Sequence, residues 1–162
     1  METVTFEPIG TIYSPFTELT GMPIQPAGAK DVEGYIEVRE DLQDGLDDVQ
    51  DFSHIYLFYY FHKNEGYSLK VTPFMDTQLR GVFSTRAPRR PNMLGCSIVE
   101  ITKVEGNRVY VKGLDILNGT PLLDMKPYVE KFDSLSGTRS GWLTKNANKS
   151  EVLRSDNRFV NE

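Results

Sequence analysis

A mainly β, single-domain protein whose sheet closes, or nearly closes, on itself is the fold class that three observations predict. Apolar runs are short, glycine and proline punctuate them throughout, and no long amphipathic helix precedes residue 145. Short strands separated by turn residues favour closure, because a closed sheet has no exposed edge. The chain of 162 residues suffices for one domain with a real core and is short for two. That domain is expected over residues 1–145. A polar tail, NANKSEVLRSDNRFVNE, follows over 146–162 as a short helix or a flexible end.

The elements follow in order. TVTFEPIGTIYSP predicts an opening strand or two, interrupted at Pro8 and closed at Pro15. VEGYIEV (32–38) is β-branched and roughly alternating, as a strand requires. DLQDGLDDVQDF fits a helical turn and an ordered loop equally. FSHIYLFYYFH (52–62) is a dense aromatic run, predicted to be a strand central to the core, with its aromatics mostly buried. A short strand is expected around Val82 and Phe83. SIVEITKV and RVYVKGL flank Glu105-Gly106-Asn107 and predict a β-hairpin. In its second arm Val109 and Val111 face one way, Arg108, Tyr110 and Lys112 the other. DILNGTPLLDMKPYV (115–129) reads as a loop, with Asn118-Gly119 and Pro121 as turn signals.

Composition excludes several classes of function. Hydrophobic residues make up 39% and charged residues 25%, a globular balance, and no apolar run approaches the ~20 residues that span a bilayer. METVTFEPIG lacks a basic-then-apolar leader, so a cytoplasmic location is expected. A lone cysteine, Cys96, allows no intramolecular disulfide and does not suggest zinc. His54 and His62 stand eight apart, ~25 Å on an extended strand, so no shared metal is expected. No two glycines are separated by one residue, which rules out a Gly-x-Gly-x-x-Gly dinucleotide loop. Phosphate-loop, His-Glu-x-x-His and nucleophile-elbow patterns are absent as well.

The net charge of −5 is unevenly spread. Glu40, Asp41, Asp44, Asp47, Asp48 and Asp51 cluster in one segment, and Arg80, Arg86, Arg89 and Arg90 in another. A local basic patch governs docking even on an acidic protein. GVFSTRAPRRPNMLG (81–95) carries most of that patch. Its arginines are forked donors for carboxylates and phosphates, and Pro88 and Pro91 restrict the unfolded chain. Asn92 both donates and accepts, which suits an adenine edge or a polar ligand tail. A stiffened surface loop with solvated arginines meets the composition equally well.

The same stretch resembles the signature of the TrmO-type tRNA methyltransferases, Gly-Val/Ala-Phe-small-x-Arg-small-x-x-Arg-Pro-Asn. The match runs through Gly81, Val82, Phe83, Ser84, Arg86, Ala87, Arg90, Pro91 and Asn92. FSHIYLFYYFH is similar to the family's Phe-Ser-His-aromatic strand, and DILNGTPLLDMKPY to its Asp-x-x-Asp-Gly-Thr-Pro-x-x-Asp-Ile-Lys-Pro-Tyr segment. IGTIYSPF, followed by Gln25-Pro26, resembles its opening strand and turn. The resemblance covers roughly residues 6–132. Asn118 stands where Asp is usual, and Met93-Leu94 replaces a common Pro-Ile. Many bacterial members carry an extra C-terminal domain, so this chain is expected to be a short form.

The resemblance implies a single-sheet β-barrel, a non-Rossmann fold binding S-adenosyl-L-methionine (SAM), in a cytoplasmic homodimer acting in tRNA modification. The implied reaction methylates N6 of N6-threonylcarbamoyladenosine at position 37, beside the anticodon. Such a ureido nitrogen is a poor nucleophile, and losing its proton with cations nearby would activate it. Arg86, His54 and Tyr128 are the implied catalytic candidates, and His54 is equally read as a core histidine. Gln25, Pro26, Phe83, Arg86, Arg90, Pro91, Asn92, Asp115, Thr120, Asp124 and Lys126 are the implied cofactor-binding set. Arg80 and Arg89 are expected nearer RNA phosphate. On turn chemistry alone Asp115 and Asp124 are as readily caps. Two other readings stand beside this one: a SAM-dependent enzyme acting on another amine or RNA site, and a catalytically silent SAM- or RNA-binding module.

Overall fold

The structure is a computed structural model and describes residues 2–145 and 152–159. Its strands are β1 (Gly10–Tyr13), β2 (Glu33–Val38), β3 (His54–Tyr60), β4 (Lys70–Val71), β5 (Arg80–Gly81), β6 (Leu94–Glu105), β7 (Arg108–Lys112) and β8 (Thr120–Pro127). Six of them close a barrel in the order β1-β2-β7-β6-β3-β8, and β4 and β5 form a separate two-stranded ribbon. Every pairing is antiparallel, and β1 returns to β8 with Gly10 opposite Leu122 to seal the seam. The expected closed sheet is therefore present. Ile12, Ile36, Leu57, Val99, Val109, Val111, Leu114 and Leu122 fill its interior almost without exposure. Each such side chain contributes ~1.5–3 kcal/mol of transfer free energy.

The hairpin forms as its alternation predicts. Val109 and Val111 are buried, while Arg108 and Lys112 pair across to Glu37 and Glu33 on β2. Gly106 turns the hairpin at φ 58°, a conformation that favours glycine. The acidic segment forms 3-10 turns, Glu40–Leu46 and Val49–Asp51, so of its two readings the helical turn holds.

Three local expectations are corrected. Residues 115–129 are not loop throughout: after the Gly119 turn, Thr120–Pro127 form β8, the strand that closes the barrel. Pro121 and Pro127 fall near its two ends, where a ladder tolerates a missing N–H. Val82 and Phe83 lie in a 3-10 turn, Val82–Ser84, and not in a strand. Val82 is buried against Val71, Ala87 and Phe159 there, and the Ser84 and Thr85 hydroxyls donate to the Gly81 and Val82 carbonyls. The aromatics of the central run are mostly not core. On β3 only Ile55, Leu57 and Tyr59 point inward; Tyr56 and Phe58 are half-buried and Tyr60 is exposed on the outer face. A period of two cannot bury every member of a continuous aromatic run.

Residues 152–159 return to the body of the protein. Arg154 bridges to Pro23, the Ser155 hydroxyl donates to the Leu19 carbonyl, and Phe159 is buried edge-on to Phe74. The rest of the expected tail, residues 146–151 and 160–162, lies outside the described residues.

Candidate functional site

Antiparallel pairing brings four segments together at one end of the barrel. The C-terminal end of β3 lies beside the N-terminal ends of β6 and β8, and the C-terminal end of β1 also lies beside the N-terminal end of β8. The loops leaving these ends carry residues 14–25, 61–64, 82–93 and 113–119. Between them opens a cavity of about 1140 Å³. Trp142, Leu143, Ser155, Asp156 and Phe159 complete its wall from the C-terminal part of the chain.

The arginine–proline loop is held by its own side chains. The Arg90 guanidinium donates to the Thr85 and Ala87 carbonyls at 3.0 and 3.4 Å, so part of its hydrogen-bonding capacity pins the loop. Met93 takes a φ of 45° where the loop turns into β6. Trp142 caps the outside, donating from Nε1 to the Ser84 carbonyl with Arg80 stacked over its ring. Arg86 is the exposed arginine of the loop. It reaches across the cavity mouth and donates to Gln25 Oε1 at 2.7 Å, joining segments 61 residues apart. Phe83, 76% exposed, stands beside it on the cavity wall.

A polar chain runs from the barrel interior to the cavity. Tyr59 and Ser97 hydroxyls lie 3.0 Å apart, and Ser97 donates to Asp115 Oδ1 at 2.7 Å. Ser97 has one proton, so its donation to the carboxylate makes Tyr59 the donor to Ser97. Gly95, opposite Tyr59 on β6, makes this possible, because a Cβ there would lie 2.2 Å from the Tyr59 ring. Burial pushes the Asp115 carboxyl up to about 6, opposed by the Ser97 hydrogen bond, its own backbone N–H and the Arg86 charge. Burial also raises the Tyr59 phenol well above its ordinary value, so it stays protonated. His62, on the same wall, is lowered by burial and by neighbouring Lys63, which favours its neutral form.

The sequence-derived candidates divide in two. Gln25, Phe83, Arg86, Arg90, Pro91, Asn92, Asp115 and Thr120 line the cavity. Thr120 is 2% exposed and its hydroxyl donates to the Leu117 carbonyl, so it serves the turn. Pro26 is the first residue of a 3-10 turn directly after Gln25. His54, Tyr128, Asp124 and Lys126 do not line the cavity. His54 starts β3 at the opposite end, with its ring edge-on to Tyr128 at 6.3 Å and Nδ1 2.9 Å from the Ser53 hydroxyl. Asp124 and Lys126 form an exposed ion pair at 2.8 Å on β8. Arg80 and Arg89 also stand off the cavity: Arg80 pairs with Asp76 at 2.7 Å, and Arg89 keeps a buried, unpartnered Nε.

Other wall residues escaped the sequence reading. His62, Lys63 and Asn64 follow the end of β3, and a polar trio after an aromatic run was their available signal. Ser97 had none beyond Gly95 two residues before it, and Tyr59 only its place in the aromatic run, one or two of whose rings could line an adenine pocket. Among the described residues no group of three His, Cys, Asp or Glu side chains is arranged to hold a metal ion.

Comparison with known proteins meets this geometry at several points. A 48% identical protein of Pyrococcus abyssi, matched over 96% of this chain and 85% of its own length, is a probable S-adenosyl-L-methionine-binding protein. The tRNA (adenine(37)-N6)-methyltransferase of Rattus norvegicus is 38% identical over 79% of this chain, which spans 31% of the rat protein. The crystal structure of TrmO from Pseudomonas aeruginosa superposes with a TM-score of 0.74 at 36% identity, covering 86% of this chain and 62% of that one. The profile of the tRNA-methyltransferase O N-terminal domain matches residues 11–134, from β1 through every barrel strand. Fold and sequence thus agree, and the chain belongs to the TrmO N-terminal domain family.

Proposed function

We propose that this protein binds S-adenosyl-L-methionine in the barrel-end cavity and methylates N6 of N6-threonylcarbamoyladenosine at position 37 of tRNA. The observation that carries this is convergence. Gln25, the loop pair Arg86 and Asn92, and Asp115 come from three separate segments of the chain, and all line one cavity. At about 1140 Å³ it exceeds the usual ~300–1,000 Å³ of a small-molecule pocket, leaving room for a cofactor beside an extruded nucleotide. The donor set fits SAM: Arg86 offers a cation to its carboxylate, Gln25 and Asn92 offer amides, and Phe83 offers a ring face to the adenine.

When bound, the cofactor supplies an electrophilic methyl group on sulfur. The chain's task is then orientation and charge. Arg86 sits at the mouth, where the threonyl carboxylate or the developing ureido anion would meet it. Arg80 and Arg89, off the cavity on the same side of the fold, are assigned to flanking RNA phosphates. His54, Tyr128, Asp124 and Lys126 lie outside the cavity and are assigned to a second surface, engaged by RNA or by the second copy of a homodimer. The setting is the cytoplasm, with its tRNA.

Three measurements test the reading. Calorimetry with SAM should give one site per chain, weakened ~10–100-fold by Arg86→Ala. Incubating threonylcarbamoylated tRNA with protein and SAM should yield the methylated nucleoside by mass spectrometry. Binding without transfer would favour the silent module, a reading supported by the Pyrococcus relative being described only as a probable SAM-binding protein. Sedimentation as a monomer at working concentration would remove the dimer.

A further inference from the structure

The methyl transfer leaves a proton to be placed. As the ureido nitrogen uses its lone pair to bond the methyl carbon, the carbon–sulfur bond breaks and its electron pair passes to sulfur. The nitrogen's own N–H proton must then go to an acceptor within hydrogen-bond reach. Neither His54 nor Tyr128 lines the cavity. His54 begins β3; Tyr56 and Tyr59 are the β3 residues that line the cavity, and Tyr59, which reaches Ser97, lies five residues on, ~17 Å along an extended strand.

Among the described cavity-lining groups, three can accept a proton: Asp115, Asp156 and neutral His62. Asp156 is taken up by Arg158, whose Nε and Nη2 donate to it at 2.7–3.0 Å and hold its carboxyl below the usual range. His62 bonds to the Tyr60 backbone, which occupies part of its ring. Asp115 differs. Among the described residues Ser97 is its sole side-chain hydrogen-bond donor, and that donor is bonded in turn to the buried Tyr59 hydroxyl. Ser97 holds one carboxylate oxygen from the barrel side, and Asp115 lines the ligand cavity.

Resting on the function proposed above, we propose that Asp115 is the proton acceptor of the methyl transfer, with Ser97 and Tyr59 as its positioning residues. The N–H proton passes to Asp115 as the nitrogen–carbon bond forms, and the protonated carboxyl later releases it to water. The groups facing Asp115 are suited to this. Arg86 lowers its proton affinity and Ser97 does likewise, while burial raises it; Cys96 and Tyr59 stay protonated and add no charge. The balance places its carboxyl at about 6, ionised at neutral pH yet a stronger base than an exposed aspartate.

The test combines turnover with a readout that needs no substrate. In the SAM-loaded protein, carbon-13 NMR of labelled aspartate should show one carboxyl titrating near 6, missing in Asp115→Asn. Ser97→Ala removes a hydrogen bond to the charged form, so that midpoint should move to higher pH, and the inflection of kcat/KM should move with it. Asp115→Asn should lower kcat about 100-fold or more, with SAM affinity by calorimetry within about threefold of wild type. His62→Gln should retain the pH inflection. Full turnover in Asp115→Asn overturns the proposal. So does a loss of SAM affinity as large as the loss of turnover, which would make Asp115 a cofactor ligand, and so does an inflection that vanishes in His62→Gln. Absence of transfer by the wild type, with the carboxyl titration and its Ser97 dependence intact, overturns the substrate reading instead.

Discussion

The two ends of β3 carry similar residues and face different surroundings. At its start His54 packs edge-on to Tyr128 and shares a hydrogen bond with Ser53, outside the cavity. At its finish Tyr59 points inward to Ser97, and His62 beyond it stands on the cavity wall. Both ends hold a histidine and tyrosines, so composition cannot rank them. Position along the strand and side of the sheet decide which end meets a ligand. The loops that make the cavity leave only one end.

The sharpest way to separate fold from site is to damage one and measure both. Leu57 is fully buried in the barrel, and Leu57→Ala should cost ~2–5 kcal/mol of stability. The folded fraction should keep its SAM affinity, measured by calorimetry well below the melting temperature. Arg86→Ala should do the reverse. Affinity for SAM falls ~10–100-fold, about 1.4–2.8 kcal/mol, while denaturant midpoints stay unchanged because Arg86 is exposed and bonds only Gln25 among the described side chains.

Asp115 links the two regions through pH. Its folded carboxyl is raised to about 6 from 3.8, so the native state binds that proton more tightly than the unfolded chain does. The contribution to stability is fully present below pH 3.8 and is lost as pH rises through about 6. Asp115→Asn, which has no charge to bury, should therefore gain stability relative to wild type at pH 7.5 and not at pH 3.5. The gain should be about 1–2 kcal/mol, discounted because the residue is half-buried. A thermal-melt series across pH reads this directly. The smallest effect is expected at the far end of β3, where His54→Ala should change SAM affinity less than about threefold. A tenfold loss would place the ligand at both ends of the strand.

The barrel was legible because its signals are local: Gly106 at a hairpin tip, alternation in Val109 and Val111, and short runs between turn residues. β8 was not, since Gly119, Pro121 and Pro127 mimic a loop and their spacing near strand ends is visible only once β1 and β3 flank them. The arginine–proline loop was legible by resemblance, and Arg86, Arg90 and Asn92 in it line the cavity. The resemblance could not tell which face or end of a strand a motif residue occupies. It therefore set His54 beside Arg86 although His54 does not line the cavity. The Tyr59–Ser97–Asp115 chain was invisible for a different reason. It depends on a bare Cα at Gly95 letting a ring lie across the neighbouring strand, a packing event with no sequence period.

The seam between β1 and β8 joins residues more than a hundred positions apart, Gly10 to Leu122. Closing so long a span carries a large entropic cost before it is rewarded, which makes for slow, high-contact-order folding. Gln25 follows β1 and Asp115 precedes β8, so the two walls of the cavity meet only when the seam has zipped. A nascent or partly unfolded chain thus has no half-built pocket to offer. Ligand capture becomes a readout of completed folding, and SAM present during refolding should act on the last step, slowing unfolding more than it speeds collapse.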